Sequence, residues 1–259
     1  MYFFIPCLIM VSSLSACLRD DPVNISDGDG PEESTGYKLG SREEFDTKTD
    51  GQSSLCLNEA GDGLLLANDN GFIYEYDLEG KLTGSHEIKG DWEGITRASD
   101  GTIYLCEERT REVYRLSADH NSVTLFSKGL NETQESGYAE NQGYEGIAAG
   151  PGVLYIANQS GPKRVYTCNV STKEWGKAFD FPAASSLSDI FYDADDNTLW
   201  ITDAKTRKLT QFKTDGTQLQ TIDISFVNKP EGFCKDSGRK LFWFVCDKTN
   251  ILYKVSYQQ

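Results

Sequence analysis

Histidine is nearly absent from this chain: 259 residues contain two, His86 and His120. Neither falls in a recurring motif, so a nucleophile activated by an adjacent imidazole, as in Ser-His-Asp or Cys-His arrangements, has little support. Seven cysteines are present, but no Cys-x-x-Cys pair occurs, which removes the usual zinc-ribbon and redox spacings. Basic residues are also short, with 25 Lys and Arg against 40 Asp and Glu and a net charge of -15. A surface of that sign does not attract phosphate, so nucleic acid is excluded as a partner, while small cations and basic partners are favoured. No window carries apolar residues at the i, i+3, i+4, i+7 spacing of an amphipathic helix, so helical content is expected to be low.

What is present divides the chain into three. Residues 1–16, MYFFIPCLIMVSSLSA, carry no charge and end in small residues. They read as a secretory signal segment too short to span a bilayer. LSAC at 14–17 resembles the lipobox of bacterial lipoproteins. That resemblance implies a lipidated Cys17, a membrane lipid anchor and a place in the cell envelope, at the outer membrane on its periplasmic or outer face. The opening segment departs from the pattern in having no Lys or Arg, and an ordinary cleaved signal peptide with an incidental cysteine is the alternative. Residues 17–36 are rich in Asp, Glu, Gly and Ser without apolar periodicity, the composition of a solvated tether. The remaining 37–259 hold five further cysteines, each in an apolar strand-like run, where a small buried residue is expected.

This third part is repetitive. DWEGIT at 91–96, GYEGIA at 143–148 and KPEGFC at 229–234 share one pattern, and QSSLCL at 52–57 and SLSDIF at 186–191 are fainter copies with serine in place of glutamate. Aligning Ser54, Glu93, Glu145, Ser188 and Glu231 gives spacings of 39, 52, 43 and 43 residues. After each comes a short apolar strand, then a turn rich in Gly, Asp or Asn: NEAGDG, RASDG, AGPG, DADDN and KDSG. A second strand follows (LLLA, IYLC, LYIA, LWIT, FWFV), then a third (FIYEYD, EVYRLS, RVYTCN, LTQFKT, ILYKVS) and a less regular fourth. Four strands at a period near 40 residues is the pattern of a β-propeller blade.

The fifth unit ends at Gln259 after three strands, while GYKLGSREEF at 36–45 is a strand without a unit. Pairing the two closes the ring and leaves no exposed edge. The expectation is therefore an all-β, five-bladed propeller over 37–259 that is a monomer. Six blades is the alternative if 118–143 conceals strands, although NETQESGYAENQG at 131–143 lacks alternation and reads as a loop.

The order of these copies, with EERTREVYRL at 107–116 as the link between strands, resembles the SdiA-regulated family of β-propeller proteins over roughly 37–259. The resemblance implies an exported bacterial protein, and the family name carries no biochemical activity. Two departures stand out. Asp189 occupies a position where the family more often has glycine, and ANQSGPKRVY at 157–166 lacks the acidic residue usual in that link.

In a propeller the innermost strand of each blade lines the channel, so Glu93, Glu145 and Glu231 are expected to converge at one mouth. Glu107, Glu108, Asn158, Asp203 and Asp247, at the ends of second strands, should rim the same face, with Ser54, Ser188 and Asp189 beside them. Three gathered carboxylates repel one another and must take protons, hydrogen-bond donors or a cation. Two readings stand together. The oxygen-only inventory suits a hard cation such as Ca2+, which takes about six to eight oxygens at about 2.3–2.6 Å. Alternatively each glutamate clips its blade to the next by accepting backbone hydrogen bonds. The function expected is a lipoprotein whose propeller binds a small-molecule, glycan or protein ligand at that mouth, through Ca2+ or directly. Two alternatives are a metal-assisted hydrolase of lactonase or phosphoesterase type and an interaction scaffold in which Trp92, Tyr144 and Trp175 stack on a partner. Burial of those three aromatics between blades is the simpler use. Asp193, Asp195 and Asn197 in DADDN look like cation ligands, but a plain hairpin explains them.

Overall fold

The computed structural model describes residues 36–130 and 142–259. The signal segment, Cys17, the tether up to residue 35 and most of the 131–143 loop lie outside the described residues. What is described is built of β-strands alone.

A single strand, β1 (Lys38–Asp46), precedes four complete units. The first contains β2 (Gln52–Leu57), β3 (Gly63–Asn68), β4 (Phe72–Asp77) and β5 (Leu82–Glu87). The second contains β6 (Trp92–Arg97), β7 (Ile103–Glu107), β8 (Glu112–Leu116) and β9 (Val123–Lys128). In the third are β10 (Tyr144–Gly150), β11 (Val153–Asn158), β12 (Arg164–Asn169) and β13 (Trp175–Asp180). The fourth has β14 (Leu187–Asp193), β15 (Thr198–Asp203), β16 (Lys208–Lys213) and β17 (Gln218–Asp223). The chain ends with β18 (Pro230–Asp236), β19 (Leu241–Cys246) and β20 (Ile251–Gln258).

Each unit forms one four-stranded antiparallel sheet, and the fifth is completed by β1 in the order β1-β20-β19-β18. This is a five-bladed β-propeller; the six-bladed alternative falls. The closing pair runs from Lys38 opposite Gln258 to Asp46 opposite Ile251. Just ahead of it, Tyr37 is buried against Trp200 and Tyr257, with ring centroids 5.1 Å from each. The amino-terminal ribbon is thus fixed by a hydrogen-bond ladder and by aromatic packing worth about 0.5–1.5 kcal/mol per pair beyond its buried area.

Why these residues fold this way follows from period and turn chemistry. The inner two strands of a blade are covered on both sides by neighbouring blades, and the second strands β3 and β15 and the first strand β18 are buried along their whole length. All five strand-one-to-two turns contain a left-handed residue: Gly61, Gly101, Gly152, Asn197 and Lys240. In the last turn the strain falls on Lys240 and not on Gly238 of KDSG. DADDN is a hairpin: Asp193 is paired with buried Lys235, and Asn197 supplies the positive φ. The five cysteines of the propeller are buried and unpaired.

Blades meet most closely at the glycine that follows each glutamate. A Cβ on Gly94 would lie 3.0 Å from Gly146 Cα, one on Gly146 would lie 2.7 Å from Asp189 Cα, and one on Gly232 would lie 2.8 Å from Ser54 Cα. Glycine is required there because backbone meets backbone across the blade junction. Gly146→Ala should therefore destabilise the protein by about 1–3 kcal/mol through overpacking, about 2–4 °C of Tm per kcal/mol in a domain of this size. Thermal unfolding measures this, and an unchanged Tm would contradict the packing described.

Candidate functional site

All five pairs of first and second strands slip register at the same place. Trp92 faces Glu107 and Gly94 faces Cys106, which leaves Glu93 as a bulge; Glu145, Ser188 and Glu231 are bulged in the same way. A bulged residue leaves the ladder and its side chain is re-aimed, here into the channel mouth. In the first blade the slip lies between Gln52 and Ser54, so the counterpart of the glutamates is Ser53, one residue before the aligned Ser54. Ser53 is buried and its hydroxyl bonds Glu93. Ser54 instead takes the position of the glycines and donates to Asp189 Oδ2 at 3.2 Å.

The three glutamates do converge, since each of Glu93 and Glu145 feels the charge of Glu231. They are not equivalent. Glu231 is 8% exposed and is met by Lys229, whose Nζ lies 2.7 Å from Glu231 Oε1 and 2.8 Å from Asp247 Oδ2. Glu145, 5% exposed, faces acid: it donates its proton to Glu108 and feels Glu93, Glu231 and Glu108. Carboxylate oxygens of Asp91, Glu93 and Glu108 all lie within 4.8 Å of one another. Arg109 Nε bonds Asp91 Oδ2 at 2.7 Å from the solvent side.

Burial governs the proton affinities. It pushes Glu93 up to about 8, with Asp91, Glu108 and Glu231 adding to the shift, although Ser53 opposes it. Glu145 is held well above the usual carboxylate range by burial and then by its acidic neighbours. Burial likewise raises Glu231, but the Lys229 ammonium limits the rise to about 7. Glu108 is raised by burial and by Asp91.

Position parity sorts the rim. Asp69, Glu108 and Asp247, one residue beyond the end of the second strand, carry charge toward the mouth. Residues one place earlier turn aside and lock the next turn. Glu107 Oε2 accepts from the Thr110 amide and hydroxyl, both at 2.6 Å. Asn158 donates to the carbonyls of Ser160 and Pro162, and Asp203 accepts from the amides of Ser185, Ser186, Lys205 and Thr206. Of the expected rim, Glu108 and Asp247 reach the mouth, whereas Glu107, Asn158 and Asp203 are spent on turns. Sequence reasoning missed Asp91, Lys229 and Ser53. Asp91 and Lys229 each stand two residues before a glutamate, a shared offset that was legible.

Asp189 is fully buried in the channel. Its Oδ2 accepts from the Phe233 amide at 2.8 Å as well as from Ser54, so one carboxyl of the fourth blade ties the fifth and the first. Ser188 donates its hydroxyl proton to the Pro230 carbonyl at 2.7 Å, a blade clip, and its oxygen lies 2.9 Å from Thr202 Oγ1. Beyond this constriction, the opposite mouth opens on a cavity of ≈ 290 Å³ of mixed polarity, lined by Leu55, Ile95, Phe191 and Phe233 together with Arg97 and Lys235. Trp92 and Tyr144 are buried between blades; Trp92 Nε1 donates to the Ile88 carbonyl, and Tyr144 stacks on Trp175 at 5.7 Å.

With this geometry in place, the family model described as SdiA-regulated matches residues 34–181. The chain belongs to the SdiA-regulated family. No curated protein matches it. Among solved structures, the Myxococcus xanthus glutaminyl cyclase aligns at 11% identity and a TM-score of 0.64, covering 86% of this chain and 96% of that one. A Bacteroides thetaiotaomicron protein of unknown function aligns at 12% identity and 0.57, covering 84% and 77%. A streptogramin B lyase aligns at 14% and 0.55, covering 88% and 100%. At these identities the SdiA-regulated chain shares their fold and nothing more specific.

The raised carboxyls set the sign of the pH response. In the folded state they keep protons that the unfolded chain releases near its ordinary value of about 4.3. Their contribution to stability is complete below that value and is lost as pH rises through the folded values of about 7 and about 8. In cation-free buffer Tm should fall between about pH 5.5 and about pH 8.5, and Glu93→Gln should flatten the fall. A Tm that climbs across that window in the unaltered protein would refute the assignment.

Proposed function

We propose that this member of the SdiA-regulated family is an exported, lipid-anchored binding protein that takes a divalent cation, Ca2+ foremost, and its ligand at the acidic mouth of the propeller channel. The observation that carries this reading is the meeting of Asp91, Glu93 and Glu108 within 4.8 Å, with Glu145 hydrogen-bonded behind them. Four carboxyls in a partly dry rim are unfavourable unless protons or a cation neutralise them. Hard oxygen donors of this kind suit Ca2+. Glu108 and Asp91, which Arg109 meets from the solvent side, join Glu93 and Glu145 as the candidate ligands, whereas buried Glu231 is held by Lys229. On the Glu231 side a cavity of ≈ 340 Å³ is lined by Lys205, Lys229 and Lys248. A ligand held there would present anionic or hydrogen-bonding groups to the lysines and its cation-binding groups to the acids. A small molecule, a glycan terminus or a protein side chain can meet that demand.

A second reading follows from the same acids. A cation held by Asp91, Glu93 and Glu108 would polarise a substrate oxygen or activate water, so the mouth also suits metal-assisted hydrolysis of a lactone or phosphoester. The scaffold reading through aromatic stacking loses its basis, because Trp92 and Tyr144 are buried.

Titration calorimetry with Ca2+ tests the main reading. Heat of binding and a rise in Tm are expected, larger at about pH 8.5 than at about pH 6 because the cation must displace protons. Glu93→Gln with Glu145→Gln should remove both signals; no heat and no rise in Tm in the unaltered protein would end it. The anchor is tested separately. Cys17→Ser should move the protein from the membrane fraction to the soluble one, and a protein that stays with membranes despite the change would argue against lipidation at that residue.

A further inference from the structure

The only two histidines of the sequence, 34 positions apart, converge on one carboxylate. Glu75 on β4 and His86 on β5 share a face of the first blade as diagonal neighbours, because Glu75 pairs with Gly84 and His86 with Ile73. Gly84 makes this possible. A Cβ there would lie 3.1 Å from Glu75 Cδ, so the missing side chain lets the Glu75 carboxylate lie across the strand pair. His120 arrives from the second blade, in the turn between β8 and β9, with a positive φ of 56°. That turn is fixed by Ser117, whose hydroxyl accepts from the amides of Asn121 and Ser122 at 3.2 and 3.0 Å. As a result His86 Nε2 and His120 Nδ1 lie 3.0 and 2.8 Å from the same oxygen, Glu75 Oε1. The two rings stand edge to face with centroids 5.4 Å apart.

The neighbouring hydrogen bonds fix a tautomer. Asn121 Nδ2 donates to the Asp119 carbonyl at 2.8 Å, so Asn121 Oδ1 is the atom that faces His86 Nδ1 at 3.2 Å. His86 Nδ1 therefore carries a proton, and the lone pair of the neutral ring lies on Nε2, pointing at Glu75. Two acceptors 3.0 Å apart need a cation between them, either a proton or a metal ion. A second-shell partner on the far ring nitrogen is the arrangement that orients metal-binding histidines.

We propose that Glu75, His86 and His120 form a binding site for a divalent transition metal, Zn2+ foremost, that staples the first blade to the second. Two imidazoles and one carboxylate are an established Zn2+ donor set, with a fourth position left for water or ligand. Tetrahedral ligands about 2.1 Å from zinc stand about 3.3–3.4 Å apart, so the three atoms need to spread by about half an ångström. The side chains are 34%, 20% and 18% exposed, which leaves a path for the ion. A groove of ≈ 310 Å³, lined by Glu75, His120, Thr83 and Arg97, adjoins the three side chains. Imidazole donors separate this site from the all-oxygen mouth: Ca2+ and Mg2+ are not expected to bind it.

The test uses metal-stripped full-length protein titrated with Zn2+ and with Co2+. Expected are one equivalent of tight binding, a visible absorption band of tetrahedral Co2+, and a higher Tm. His120→Asn, which suits the left-handed turn, and His86→Gln should each weaken binding at least tenfold, and Asn121→Ala should weaken it about tenfold through the second shell. Glu93→Gln with Glu145→Gln should leave it intact. Absence of binding, or binding that survives the double change His86→Ala with His120→Ala, overturns the site. Should the histidine variants fail to fold, the ring nitrogen shifts of the unaltered protein decide: both rings moving on Zn2+ addition supports the site, and both unmoved overturns it.

Discussion

Everything in this molecule rests on backbone meeting backbone around the channel. Five inner strands come close enough that a methyl group at Gly94, Gly146 or Gly232 would strike the next blade. That contact sets the radius of the ring, and the radius decides how close the bulged side chains must stand. The same constraint explains Asp189. Where the fourth blade lacks the glycine, its carboxyl is driven into the channel and must find donors from two other blades, which it does in Phe233 and Ser54.

Crowding of acid at the mouth is thus a consequence of packing. Bulges that aim Glu93, Glu145 and Glu231 inward place carboxyls where burial and mutual repulsion both oppose ionisation. The protein relieves the strain in two ways on two sides. Lys229 neutralises Glu231 and Asp247, while the Glu145 carboxyl is hydrogen-bonded to that of Glu108. The second solution leaves carboxyls without a buried counter-ion, and that is what makes the mouth the candidate cation site. At the outer edge of the first two blades the same logic recurs with different donors. There one carboxylate is shared by two imidazoles instead of by other acids.

Much of the architecture was legible in the chain. Repeats near 40 residues, turns of Gly, Asp and Asn, and an orphan strand at the front predicted five sheets and their closure through β1 and β20. Glycine after glutamate marked the blade junctions. The functional rim was legible only in part. Register slips by one residue at each bulge, so Ser54 stood in for Ser53, and alternation along the second strand separates Glu108 from Glu107 although the two are adjacent. Neither offset leaves a trace in composition or spacing.

Sequence by itself determined the fold, because a propeller is written in local signals: strand period, turn residues and repeat length all act over a few tens of residues. Tertiary structure alone decided which side chains share a site. His86 and His120 belong to different blades and meet at Glu75 only because a glycine opens the sheet above it and a left-handed turn carries one ring across the junction. Which acids keep protons and which gain a lysine was likewise decided by distances of about 3 Å between residues far apart in the chain, since electrostatic interactions in a partly buried site depend on such distances and on burial.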